Sequence, residues 1–188
     1  DFPNQVGHWQ DLVGTAEKKN DSAGLWIANT KQGTNLESVS INLDAREQSS
    51  GDLELTFLYE GQSNFGLVFR GDKQKTSQWQ SFAYNRDGRW QLGQPGGKWL
   101  TNIPGPTLLS GQQYKLLVRY DGKKIQTFLN DQLFYENEEV HYPDGTSIND
   151  DWMGAVGIRL FGNLSKLNII SMKSGPVGSI PVIDSSAE

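Results

Sequence analysis

Residues 64–93, NFGLVFRGDKQKTSQWQSFAYNRDGRWQLG, combine short apolar runs with a tight-turn signal. Side chains alternate between the two faces of a strand, so the start of this stretch gives two rows. One row holds Phe65, Leu67 and Phe69, and the other holds Gly66, Val68 and Arg70. Asp87-Gly88 marks a hairpin tip, because glycine supplies the positive φ that such turns need. The stretch therefore predicts antiparallel strands with one face in a core.

The same pattern continues outward along the chain. Residues 37–45, 52–61, 154–162 and 165–173 read as further strands, and 114–137 reads as a three-stranded meander with turns at Asp121-Gly122 and Asn130-Asp131. Regularly spaced short strands are typical of a sandwich or barrel. Residues 8–19 fit either a helix or a strand and loop, because Gly14 interrupts them. We predict an all-β fold, a β-sandwich of two antiparallel sheets in jelly-roll topology. The alternative is another β-sandwich with the same strand count.

Composition excludes several classes of function. The chain of 188 residues carries 17 basic and 22 acidic residues without any basic run, which argues against binding to nucleic acid. No apolar stretch approaches the roughly 20 residues of a membrane helix, so no membrane insertion is expected. Cysteine is absent, which excludes disulfides and a thiol nucleophile. From residue 175 the sequence becomes rich in Gly, Pro and Ser, so we predict a domain over 1–174 and a linker or tail over 175–188.

No catalytic residues are predicted. His8 and His141 are the only histidines, and no G-x-S-x-G motif occurs. Asp52, Glu54 and Glu60 approach the E-x-D-x-x-E spacing of β-sandwich glucanases, but the third acid is displaced by three positions. We interpret them as polar residues on the outer face of a strand.

No metal site and no required cofactor are predicted either. Residues 141–146, HYPDGT, and 148–152, INDDW, offer oxygen ligands of the kind that calcium uses. Neither has the spacing of an EF-hand, so structural calcium stays an open alternative.

Outward aromatic and arginine side chains suggest sugar binding. An aromatic ring can stack on the apolar face of a sugar, and the planar fork of arginine can donate to two hydroxyl oxygens at once. Arg70 lies opposite the apolar row of its strand, and Arg159 lies opposite the row Val156, Ile158 and Leu160. We therefore expect both arginines to point outward on one sheet face. One of four tryptophans is expected to contact the ligand: Trp79, Trp90, Trp99 or Trp152.

Residues 37–173 resemble concanavalin-like, or laminin-G-like, carbohydrate-binding modules of bacterial glycoside hydrolases. The resemblance rests on the strand GLVFR, the meander YKLLVRYDGKKIQTFLND and the closing strand GIRLF. The chain looks most like the galactose-binding modules of family 71 in streptococcal surface β-galactosidases, and it is also similar to the fructan-binding modules of family 66. The resemblance extends to three candidate sugar ligands: Arg70, Trp90 and Arg159. Glu60 and Asp72 are added by their position near these, Tyr84 by its expected outward orientation, and Trp152 as one of the four tryptophans.

The expected function is that of a non-catalytic module that binds a terminal sugar, galactose or a β-galactoside. The resemblance implies a module tethered to other domains of an extracellular or cell-surface bacterial enzyme, with a glycan as its ligand. Three alternatives stay open: a module for fructan or another glycan, a glycoside hydrolase with an unrecognised carboxylate pair, and a laminin-G-type protein-interaction domain.

Overall fold

The computed structural model describes residues 8–21, 24–29 and 37–183, which form two seven-stranded antiparallel sheets packed face to face. In chain order the strands are β1 (Trp9–Val13), β2 (Glu17–Asp21), β3 (Gly24–Ala28), β4 (Glu37–Asn42), β5 (Gly51–Leu58), β6 (Asn64–Gly71), β7 (Gln80–Asn85), β8 (Arg89–Gln94), β9 (Lys98–Ile103), β10 (Gln113–Asp121), β11 (Lys124–Leu129), β12 (Gln132–Asn137), β13 (Ala155–Phe161) and β14 (Lys166–Gly175).

One sheet, here called the front sheet, has the order β1-β4-β13-β6-β7-β8-β9. The other, the back sheet, has the order β12-β11-β10-β5-β14-β3-β2. The predicted all-β jelly-roll sandwich is confirmed, and residues 8–19 form β1 and part of β2 rather than a helix. In the described ranges, no helix is long and apolar enough to cross a membrane.

The core lies between the two sheets and is built from the inward rows of the alternating strands. Phe65, Leu67, Phe69 and Phe82 are all fully buried in it, as their positions predicted. Val156, Ile158 and Leu160 of β13 face the same core.

The predicted hairpins are also present. β7 and β8 pair on either side of Asp87-Gly88, and Gly88 has a φ of +93°. The meander of β10, β11 and β12 turns at residues 121–124 and at Asn130-Asp131, where both residues have positive φ. Turn chemistry read from the sequence therefore sets the order of these strands.

Residues 176–183 fold back over the outer face of the back sheet. The Ile180 amide donates to Asp52 Oδ2 at 3.1 Å, and Arg119 Nη2 donates to the Ile180 carbonyl at 3.0 Å. Ile180 packs with Leu117 and Phe128 in a small apolar cluster. Residues 176–183, which belong to the segment predicted as a linker or tail, are thus docked on the domain. The division of the chain at residue 174 stays a prediction.

Candidate functional site

Arg70 does not point outward, so the prediction of its orientation is wrong. A bulge in β6 places two residues, Phe69 and Arg70, opposite one position of β13, and Arg70 adopts a φ of +53°. This extra residue reverses the alternation, as bulges do. The Arg70 side chain is 0% exposed and lies 5.2 Å from the ring of Tyr120.

The Arg70 guanidinium instead ties together the loops at one end of the sandwich. Its Nε donates to the Ser49 carbonyl at 2.7 Å, and its Nη2 donates to the Gly122 carbonyl at 2.8 Å. Its Nη1 donates to Gln80 Oε1 at 2.9 Å and to the Asn149 carbonyl at 3.3 Å. Burial lowers the pKa of Arg70 from its usual value. With every nitrogen engaged, Arg70 has no free face for a ligand.

Trp90 and Tyr84 are core residues, which also contradicts the predicted outward orientation. Tyr84 shares strand parity with Phe82, and Trp90 pairs with Tyr84 across β7 and β8, so all three face inward. Trp90 is 0% exposed, and its Nε1 donates to the Pro106 carbonyl at 3.1 Å. The Tyr84 hydroxyl accepts from the Leu108 amide at 3.1 Å. Both polar groups are therefore satisfied inside the protein.

Arg159 does lie on the outer face of the front sheet, as predicted. Its guanidinium carbon is 4.1 Å from the ring centroid of Phe161, 4.6 Å from that of Trp99 and 5.8 Å from that of Trp79. Its Nε donates to Glu37 Oε2 at 2.7 Å. We call these five residues the front cluster. Arginine here is held between aromatic faces and a carboxylate, which is the chemistry expected of a polar and aromatic recognition site.

The sheet beneath the front cluster is lined by small residues. Gly66 lies beside Arg159 and Ala83, while Gly157 and Gly93 occupy neighbouring rows. A Cβ on Gly93 would lie only 2.1 Å from Cε3 of Trp99, so the indole ring rests directly on this glycine. Small residues thus leave space above the sheet for the large side chains of the cluster, including the Trp79 and Trp99 rings, which are tilted by 56° to each other.

Three buried polar atoms at this face have no hydrogen-bond partner: Arg159 Nη1, Trp79 Nε1 and Ser81 Oγ. An unsatisfied buried polar group costs about 1–3 kcal/mol. Such groups are rare in folded proteins and call for an explanation, such as a ligand. Trp99, Phe161 and Glu37 are half-buried, so the outer side of the cluster is open to a ligand.

Burial and charge oppose each other at Arg159. Desolvation lowers the pKa of its guanidinium, while the Glu37 carboxylate raises it. Arginine stays protonated at any ordinary pH, so Arg159 gives the front cluster a permanent positive charge. Arg159 is only 7% exposed, whereas the half-buried Glu37 reaches the surface and can accept hydrogen bonds there.

The remaining sequence candidates lie apart from the front cluster. Asp72 accepts from the Gln74 amide at 2.8 Å, which caps its own turn. Glu60 follows β5 of the back sheet, 3.9 Å from Lys166. Trp152 is half-buried in the loop before β13. Among the described residues, no hydrogen bond or ion pair links these three to the front cluster, and their role in sugar binding stays a prediction.

Sequence reasoning missed Phe161 and Glu37, and it kept Trp99 only as one of four tryptophans. A signal for Phe161 was available, because it lies two residues after Arg159 and so shares its face. Glu37 pairs with Phe161 across β4 and β13, and that long-range pairing is invisible in the sequence.

Asp52 and both histidines form contacts within the protein. Asp52 forms a two-pronged ion pair with Arg119, at 2.8 and 3.1 Å. His8 lies 2.5 Å from Asp44, and His141 contacts Ser147. Over the described ranges, no group of three or more histidine and acidic side chains is arranged to hold a metal ion.

In the loop 141–146, whose oxygen atoms left calcium as an open alternative, the Asp144 carboxylate accepts hydrogen bonds from Thr146 and Lys98. These bonds, with the Thr146 hydroxyl foremost, lower the pKa of Asp144 to about 2. The carboxylate is thus ionised and already has partners within the protein.

No model of a known protein family matches the chain by sequence. Its fold is similar to that of several solved structures. The carbohydrate-binding module CBM66 from Bacillus subtilis has a TM-score of 0.58 and 15% identity, over 85% of this chain and 94% of that one. The Ca²⁺-bound exoplasmic/lumenal domain of VIP36 has a TM-score of 0.60 and 12% identity, over 94% of this chain and 86% of that one. A sialidase has a TM-score of 0.61 and 8% identity, over 91% of this chain and 17% of that chain.

At these identities the comparisons establish the fold. For this chain, structural calcium stays an open alternative.

Proposed function

We propose that the chain is a glycan-binding module and that the outer face of the front sheet is its binding surface. The observation that carries the proposal is the front cluster, in which two half-exposed aromatic rings flank an arginine–glutamate pair above three unpartnered polar atoms. Aromatic faces suit the C–H face of a sugar, and charged hydrogen-bonding groups suit its hydroxyl rim.

Each member of the site has a distinct role. Trp99 and Phe161 provide the stacking surface, and Glu37 accepts hydrogen bonds from sugar hydroxyls. Gln91, which lies in the same row as Gly66 and Ala83, adds an amide at the edge. Arg159 is a positioning residue, because its guanidinium holds the rings and the Glu37 carboxylate in place from beneath.

The similar folds support this reading. One neighbour is described as a carbohydrate-binding module, and a second form of the VIP36 domain is described as Man3GlcNAc-bound, with a TM-score of 0.57. The finer proposal, based on the sequence resemblance, is a terminal galactose or β-galactoside as ligand. The module would be tethered to a bacterial glycoside hydrolase outside the cell or at its surface.

We further propose that the module is not itself an enzyme. A glycosidase needs two carboxyl groups across the scissile bond. Asp52 is 0% exposed and neutralised by Arg119, so it is unsuited to act as acid or base. Incubation with chromogenic galactosides and glucans should release no product above the buffer rate.

A glycan array followed by titration tests the binding proposal. We expect dissociation constants of about 10⁻⁵–10⁻³ M for the best ligand, since an open, shallow site buries little surface. The panel should contain galactose, lactose, N-acetyllactosamine and fructose. Trp99→Ala should abolish measurable binding, whereas Trp26→Ala, which replaces a half-buried tryptophan on β3 of the back sheet, serves as the matched control. Unchanged affinity of Trp99→Ala would contradict the proposed site.

A further inference from the structure

A second cleft lies on the opposite side of the molecule, on the outer face of the back sheet. It has a volume of ≈ 380 Å³, within the range of small-molecule sites. Three adjacent strands form its floor, and the docked segment after β14 forms its wall. The lining side chains that matter here are Glu54, Lys115 and Lys173 on the floor, and Ser179, Ile180 and Pro181 on the wall.

Glu54 is the unusual member of this cleft. The residue is only 7% exposed, and it lies between Leu117 of β10 and Lys173 of β14 in the register of the sheet. Within residues 8–21, 24–29 and 37–183, the groups that act on its carboxylate are charges rather than hydrogen-bond donors. Burial raises the pKa of Glu54 above its usual value, against the opposing effect of Lys115 and Lys173. A buried carboxylate that accepts no hydrogen bond is costly, and such groups cluster at functional sites.

Two other charged groups on the outer face of the back sheet already form ion pairs. Lys115 Nζ contacts Asp131 Oδ2 at 2.8 Å, and Asp52 is paired with Arg119. The ligand of Glu54 must therefore bring hydrogen-bond donors. Two nearby ammonium groups disfavour a cationic ligand by repulsion. Neutral hydroxyl or amide donors remain as the fitting chemistry.

The side chains that form the wall of the cleft limit the chemical class of ligand that can bind there. Ile180, Pro181 and Ile183 present apolar surface opposite the polar floor, while Ser174 and Ser179 supply hydroxyls. A ligand that matches both sides has hydroxyl groups on one edge and a C–H face on the other. The combination fits a neutral saccharide unit.

The geometry points to a second saccharide subsite in this cleft, with Glu54 as its hydrogen-bond acceptor, so that the module engages two sugar units on opposite faces. This inference rests on the proposed function and extends it, because two sites on one module raise the apparent affinity for a multivalent glycan surface. It also gives the docking of residues 176–183 a role, since these residues complete the cleft.

Amide chemical-shift mapping on the full chain tests the second subsite separately from the first. The probes are galactose, lactose, N-acetyllactosamine and fructose, each titrated into wild type, Glu54→Gln and Trp99→Ala. We expect two groups of shifting amides, one around Trp99 and one around Glu54 and Ile180. Glu54→Gln should weaken binding at the second group about tenfold or more and leave the first unchanged, as loss of a charged acceptor predicts. Glu138→Gln, which replaces an exposed carboxylate outside the cleft, is the matched control.

The outcomes separate the two proposals. Shifts only around Trp99 in wild type would overturn the second subsite and leave the proposed function intact. Shifts only around Glu54 that Glu54→Gln removes would support the second subsite and overturn the front cluster as the binding face. Equal affinities of Glu54→Gln and wild type at the cleft would overturn the role of Glu54. If none of the four sugars shifts the amide signals of either region, both proposals would be overturned.

Discussion

Replacing Arg70 by methionine should strongly destabilise the fold rather than impair ligand binding directly. The Arg70 guanidinium is fully buried, and it donates to three backbone carbonyls, from Ser49, Gly122 and Asn149, as well as to Gln80. Methionine fills much of the same volume with an unbranched chain but donates no hydrogen bond. The substitution therefore isolates the effect of the lost donors from that of a cavity.

The size of the effect follows from these contacts. Each carbonyl left buried without a donor costs about 1–3 kcal/mol, but carbonyls at a loop end can partly recover through water. We expect a loss of about 3–5 kcal/mol in the free energy of unfolding, comparable to breaking a buried polar network. For a chain of this size, each kcal/mol lowers Tm by about 2–4 °C, so Tm should fall by about 6–20 °C.

Urea unfolding and thermal scans of Arg70→Met measure this loss. Arg89→Met is the matched control, because Arg89 is exposed at the start of β8 and its replacement should change stability by less than about 0.5 kcal/mol. A drop in Tm of under about 2 °C for Arg70→Met would refute the reasoning, since it would show that Arg70 does not hold the loops together.

Three further substitutions test other parts of the structure. Trp90→Ala should cost about 3–5 kcal/mol in urea unfolding, because it empties a fully buried site and orphans the Pro106 carbonyl; a near-neutral effect would show that Trp90 is not a core residue. Glu54→Gln should stabilise the protein at pH 8 but not at pH 4. The raised pKa means that Glu54 favours the fold when protonated, and this contribution is lost as pH rises from the usual value of 4.5 through the folded pKa. Urea midpoints at both pH values measure the difference, and a less stable variant at pH 8 would contradict it. Ile180→Ala should lower the free energy of unfolding by about 2 kcal/mol if residues 176–183 are firmly docked, whereas an unchanged urea midpoint would indicate a loosely held segment.

Alternation in the sequence was sufficient to predict the sandwich and much of its core. Phe65, Leu67 and Phe69 face inward as their spacing requires, and the turns at Asp87-Gly88 and Asn130-Asp131 close the hairpins. These features are local: a period of two and a turn residue determine them. The pairing of the strands into two sheets follows from the jelly-roll fold once it is recognised.

The predicted site residues were wrong where the inward and outward alternation of side chains is interrupted by a bulge, or where it was assigned incorrectly. Arg70 turns inward because β6 carries a bulge, and a non-glycine residue at positive φ leaves no mark in the sequence. Tyr84 was misassigned although it shares parity with Phe82. Arg159 was placed correctly, because β13 is regular around it. Its partner Glu37 comes from a strand 122 residues away, a contact that depends on long-range register.

The most direct test of glycan binding by the front cluster is the response of the six tryptophan indole signals to sugar. Each indole N–H gives one peak in a spectrum of ¹⁵N-labelled protein, and the conservative variants Trp79→Phe, Trp90→Phe and Trp99→Phe assign the key peaks. On titration with lactose, or with the best ligand of the array, the account predicts shifts at Trp99 and at Trp79. The buried Trp79 Nε1 lacks a partner, whereas Trp90 Nε1 already donates to Pro106 and should not respond. The account would be contradicted if, at saturating sugar, the indole signals of Trp99 and Trp79 stay unchanged while another indole signal shifts.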